Sequence, residues 1–141
     1  MEIRKLISIA LLVFFSTSCT SSEYSFKEDT NNVMFKNYTL SVCINMAYGA
    51  TSESLLKEAS LAANGYREFS NIDLSAFEAS RALISKWLTK DYISKNGGQI
   101  NLMKCIDLYN SPELEKLFIQ HDPCKNKEFW LDPDEYIKHC A

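Results

Sequence analysis

The chain has 141 residues, with 15 Lys+Arg against 18 Asp+Glu for a formal net charge of −3. It carries no basic run, which argues against nucleic acid or an anionic lipid surface as partner. That length holds a single domain with one core once an N-terminal leader is set aside.

The leader comes first. Arg4 and Lys5 precede an apolar run from Leu6 to Phe15, and small residues Ser16-Thr17-Ser18 lead to Cys19. Crossing the hydrocarbon core takes about 20 apolar residues. The run is half that, so residues 1–18 read as a removable export signal and not as a permanent anchor. A cysteine directly after small residues also resembles the bacterial lipobox, in which Cys19 would be acylated and become the mature N-terminus. Ser16 departs from that pattern, where an aliphatic residue is usual, and an ordinary cleaved signal with a free Cys19 is the alternative. Residues 19–31 are polar and unpatterned, as a flexible tether would be. Residues 32–141 form the expected folded domain.

Export changes how the other cysteines read. Cys43, Cys105, Cys124 and Cys140 are an even set in an oxidising compartment, which suggests disulfides. Of the three possible pairings, Cys43–Cys105 with Cys124–Cys140 is preferred, because the second pair closes a compact C-terminal loop. No pair has C-x-x-C spacing and only His121 and His139 could complete a site, so neither a metal nor another cofactor is expected. An oxidised cysteine cannot serve as a nucleophile.

The body is read as all-α, a compact bundle of about five helices plus a short C-terminal one, braced by disulfides. From Val33 to Tyr48 the residues Phe35, Tyr38, Val42, Cys43 and Met46 recur at helical spacing, and Gly49 is placed to end the helix as a C-terminal glycine. Ser52 or Thr51 caps a second segment carrying Leu55, Leu56, Ala59, Ala62, Ala63, Tyr66 and Phe69, with Gly65 read as a site of close approach or bending. Asp73 or Ser75 begins a third, with Phe77, Ser80, Leu83, Ile84, Trp87 and Leu88 on its inner face. A connection from Asp91 to Gln99 contains Gly97-Gly98 and reads as a flexible, exposed tip. A fourth helix over Ile100–Tyr109 is expected to bury Leu102, Met103 and Ile106. Ser111-Pro112-Glu113 starts a fifth, and Asp132-Pro133-Asp134-Glu135 a short sixth. No stretch alternates as a half-buried strand does.

Catalysis finds little support. Asp132, Asp134 and Glu135 look like an acidic first turn facing a helix dipole. Asp107 reads as a solvated or paired residue. Neither histidine has a Ser or Asp partner at a telling spacing.

Three stretches carry a resemblance. Asn101-Leu102-Met103-Lys104-Cys105-Ile106-Asp107-Leu108-Tyr109-Asn110-Ser111-Pro112-Glu113-Leu114 resembles a signature of the immunity proteins against type VI secretion amidases, in the branch that neutralises the fourth amidase family. Lys36-Asn37-Tyr38-Thr39-Leu40-Ser41-Val42-Cys43 resembles that branch's first-helix motif, and Ala62-Ala63-Asn64-Gly65-Tyr66-Arg67-Glu68-Phe69 its second. The three keep their order and spacing. The resemblance implies an antitoxin without catalysis, all-helical and commonly a homodimer. It would sit in the periplasm and occlude the cleft of a papain-like (NlpC/P60-type) peptidase that cuts peptidoglycan stems. It also implies that a helix and a protruding connection meet the toxin. On this chain those are Ser94, Lys95, Asn96, Gly97, Gly98 and Gln99, flanked by Arg81 and Ser85 on the third helix. Membrane contact would run only through a lipid on Cys19. The competing class is a helical envelope lipoprotein with a structural or other partner-binding role.

Overall fold

The structure, a computed structural model, describes residues 24–140. The leader and Cys19 lie outside them. The described chain runs α1 (Asn31–Tyr48), α2 (Glu53–Phe69), α3 (Leu74–Leu88), α4 (Asn101–Tyr109), α5 (Pro112–Gln120) and α6 (Pro133–Cys140). Short 3₁₀ turns lie at Ser25–Glu28, Pro123–Lys125 and Lys127–Phe129. Among the described residues no strand forms; an isolated antiparallel bridge pairs Ile93 with Gln99. The all-helical class follows from the sequence as read.

The helix starts have local causes. Ser52 accepts from the Leu55 amide at 3.4 Å, Asp73 from Ser75 at 2.8 Å and Ser111 from Leu114 at 3.1 Å, each satisfying an amide with no partner inside its helix. Pro112 follows Ser111 where no donor is needed. The Asp73 carboxyl is held below the ordinary carboxylate range, chiefly by its hydrogen bonds from Ser75. At the other end of the chain, Asp132 accepts from the Asp134 amide at 2.8 Å. The acidic run of 132–135 is therefore in part a helix cap, and Glu135 pairs with His139 one turn on at 3.1 Å.

Helix α1 is the hub, packing against α2, α3, α4 and α5. Its Phe35, Tyr38 and Val42 meet Phe77, Ile84 and Trp87 of α3, Leu108 of α4, and Leu114 and Phe118 of α5 in one core. Each such side chain contributes about 1.5–3 kcal/mol by leaving water. The buried hydroxyls of Thr39 and Ser80 donate to the Phe35 and Phe77 carbonyls of their own helices, so neither is left unsatisfied. Cys43 is bonded to Cys105, joining α1 to α4 with Cα atoms 5.6 Å apart. Cys124 is bonded to Cys140, tying the connection after α5 to α6. Lys36 sits over the Tyr109 ring at 4.7 Å. With Cys43 opposite Cys105, this makes α4 antiparallel to α1.

Several expectations are corrected. On α4 the buried residues are Lys104, Cys105 and Leu108, whereas Leu102, Met103 and Ile106 are about half exposed. The disulfide turns Cys105 inward, and the residues one to three positions away on the other flank go out with the helical period. On α2 only Ala59 and Ala63 are buried; Leu55, Leu56 and Phe69 remain over a third exposed. Gly49 does end α1 as expected, but in right-handed helical backbone at φ −57° rather than in the left-handed form usual for a C-terminal glycine. Its reason is space: a Cβ there would meet the Asn45 carbonyl oxygen at 2.6 Å and Leu56 Cδ1 at 2.8 Å. Gly65 serves no close helix approach; a Cβ there would meet only the Phe26 ring, at 3.8 Å. Phe26 comes from the segment read as a tether. It packs edge-on against Tyr66 and Phe69 of α2, so residues 24–30 lie on the domain.

Candidate functional site

The connection between α3 and α4 is a small hydrogen-bonded hairpin and not the flexible tip its glycines suggested. The Ser94 amide donates to the Gly98 carbonyl at 2.8 Å, the Gly97 amide to the Ser94 carbonyl at 2.9 Å, and the Ile100 amide to the Tyr92 carbonyl at 2.8 Å. The Ser94 hydroxyl accepts from the Gly98 amide at 3.1 Å. Gly97 takes φ +86°, which only glycine adopts without strain, and a Cβ there would meet nothing within 4 Å. Lys95, Asn96, Gly97, Gly98 and Gln99 are all exposed, with Ser94 half-buried at the base.

Two side chains moor this hairpin to α4. The Tyr92 hydroxyl donates to Asp107 at 2.9 Å, and that carboxylate pushes the phenol's pKa above its ordinary value. Asp107 is thus a mooring point and not a general base. Lys104 donates through Nζ to Gln99 Oε1 and to the Leu88 carbonyl, both at 3.0 Å. It is 2% exposed. Sequence reasoning passed over Lys104 because a lysine on a short helix normally points to water.

Arg81 and Ser85 sit one turn apart on an exposed flank of α3. The Arg81 guanidinium donates through Nε to the Tyr38 hydroxyl of α1 at 3.1 Å, and the Ser85 hydroxyl donates to the Arg81 carbonyl. Arg81 is therefore oriented by a core tyrosine, while Ser85 is partly occupied by its own helix. Lys86 leaves this face. It lines the groove between α3 and α5, as five residues of helix rotate it well away from Arg81. The hairpin's neighbour on the α4 side is the outward apolar row Leu102, Met103 and Ile106, and Ile93 at the hairpin base is exposed as well.

A separate cleft of about 730 Å³ lies at the other disulfide, between the α2–α3 connection and the C-terminal module. Its walls include Ile72, Asp73, His121, Trp130 and Leu131. His121 shares a 3.3 Å hydrogen bond with Ser75, and the Trp130 indole donates to the Pro123 carbonyl at 3.0 Å. The first bond ties the end of α5 to the start of α3, and the second lies within the C-terminal module.

The sequence pattern of the Tai4 family, described as the amidase immunity protein of the type VI secretion system, matches residues 33–118. That stretch is over half of the chain and runs from the first turn of α1 through most of α5, taking in the hairpin and the Cys43–Cys105 bond. The chain belongs to this family. It is accordingly an immunity protein for a type VI amidase effector and not itself an enzyme.

Solved structures agree on the fold. A chain in the structure of the effector–immunity system Tae4/Tai4 from Salmonella typhimurium (selenomethionine variant) matches with TM-score 0.64 and 21% identity, covering 71% of this chain and 98% of that one. A chain in the crystal structure of the effector Tae4 from Salmonella typhimurium in complex with the immunity Tai4 from Enterobacter cloacae matches with TM-score 0.59 and 23% identity, covering 68% and 97%. Comparison with curated proteins returns no match. The Tai4 pattern stops before Cys124, so the C-terminal disulfide module lies beyond the matched stretch.

Proposed function

We propose that this Tai4-family protein protects the cell wall by binding a peptidoglycan amidase of the NlpC/P60 type in the periplasm and closing its cleft. The hairpin Ser94–Gln99 is the inserting element, and Arg81 and Ser85 widen the contact. The observation that carries this reading is the hairpin itself: an exposed, glycine-tipped projection already held by backbone hydrogen bonds. A projection ordered before binding loses little conformational freedom on entering a groove. A tip without side chains can approach an active-site floor closely.

The half-exposed row Leu102, Met103 and Ile106 supports a homodimer, since covering apolar surface gains about 25 cal/mol per Å². The test mixes the purified mature chain with the amidase encoded beside it. Expected are one-to-one loss of hydrolysis and, by light scattering, a complex with two copies of each partner. An amidase that neither binds nor loses activity would sink the immunity mechanism for that pair and leave the envelope-lipoprotein alternative.

Acylation of Cys19 would tether the domain to a membrane. Among the described residues no helix is long and apolar enough to cross one. The wild type should fractionate with membranes and enter detergent, while Cys19→Ala should not. A wild type found wholly in the soluble periplasmic fraction rules the lipid out.

A further inference from the structure

Among the described residues, Lys104 is the one buried cation, and neither core packing nor helix propensity accounts for its position. At 2% exposure a lysine ordinarily has a carboxylate partner, because an ammonium taken from water must be compensated. Here both acceptors are neutral oxygens, one at the end of α3 and the other at the far end of the hairpin. The Leu88 carbonyl is at the last residue of α3, an end whose carbonyls lack helical partners and carry the negative pole of the dipole. Gln99 lies at the far end of the hairpin and also forms the bridge with Ile93. The carboxylate one turn along α4, Asp107, is engaged by Tyr92. The ammonium therefore joins the end of α3, which leads into the hairpin, to Gln99 at the hairpin's far end. Cys105, the next residue, is bonded to Cys43, which fixes the point from which Lys104 reaches.

We propose that Lys104 is a positioning residue for amidase binding: by clamping the end of α3 to Gln99 it holds the Ser94–Gln99 hairpin in the geometry that enters the cleft. This rests on the reading of the hairpin as the inserting element. Lys104 itself, being covered, does not touch the amidase.

The test uses the full mature chain and three variants. Lys104→Met keeps the stem and removes the charge and donors. Lys104→Arg keeps both. Gln99→Glu turns a neutral acceptor into a charged one. Amide hydrogen exchange is read at Ser94, Gly97 and Ile100, whose N–H groups close the hairpin, and at Val42 and Cys43 in the core as reference. Lys104→Met should speed hairpin exchange about tenfold, the scale of a lost charge-assisted hydrogen bond, and weaken inhibition by a similar factor with the core amides unchanged. Lys104→Arg should recover most of both, and Gln99→Glu should slow hairpin exchange.

Unchanged hairpin exchange in Lys104→Met overturns the proposal. So does faster exchange with full inhibition, when truncation of the hairpin abolishes inhibition. If truncating the hairpin leaves inhibition intact, the interface reading fails instead, and the exchange data still decide whether Lys104 orders the hairpin. Should Lys104→Met not fold, Gln99→Glu decides: slowed exchange supports the clamp and unchanged exchange removes it.

Discussion

Shortening the hairpin by two residues within Lys95–Gly98 is expected to weaken amidase inhibition by about 100-fold while leaving the melting temperature within about 2 °C of wild type. The size follows from interfaces in which a central inserted element carries about 2–4 kcal/mol, each 1.4 kcal/mol being tenfold in affinity. The silence in the melt follows from the fold. These residues are exposed, none belongs to the core around Phe35 and Phe77, and a change of two residues in loop length alters closure entropy by well under 1 kcal/mol. Inhibition titrations beside thermal melts check both halves. Undiminished inhibition would take the hairpin out of the mechanism, and a collapsed melt would show that it supports the fold.

The second large effect concerns the buried disulfide. Replacing Cys43 and Cys105 together by alanine should cost about 4 kcal/mol, from the loop of 62 residues' separation that the bond closes. Against a typical total of about 5–15 kcal/mol that is severe, a fall of roughly 20 °C in melting temperature. Both cysteines are fully buried between α1 and α4, so the change also leaves space in the core. Loss of Cys124–Cys140, with 16 residues' separation, should act differently. Helix α6 has no buried residue, so cutting its tie should free the C-terminal module without lowering the main transition. Differential scanning calorimetry of the two double variants separates the cases. Equal main transitions would mean that the α1–α4 bond is not what braces the bundle.

How much was legible depended on how local the cause is. Ser52, Asp73 and Ser111 act on amides two or three residues ahead, so the starts of α2, α3 and α5 could be read from the chain with their caps. Pro112, which follows Ser111 at the start of α5, belongs to the same class. The family was legible too, because its motifs run through α1, α2 and α4 as continuous words. Helix α4 shows where that reading stops. Its nine residues hold apolar side chains nearly all round, Leu102, Met103 and Ile106 on one side and Cys105 and Leu108 on the other. Periodicity cannot choose between two apolar faces. The choice came from Cys43, 62 positions earlier, which draws Cys105 inward.

Gly49, Gly65 and the hairpin make the same point. Composition marked each as a place where the chain could turn or bend. What occupied the space beside them, the Leu56 side chain, the Phe26 ring or a ladder from Ser94 to Gly98, came from residues outside or across the turn. Caps, periods and cysteine parity act within a few residues or by counting, so the helices, their order and the all-α class were written in the chain. The inward face of α4, the burial of Lys104 and the order of the hairpin emerge only on folding, because each depends on which distant surface the chain brings alongside.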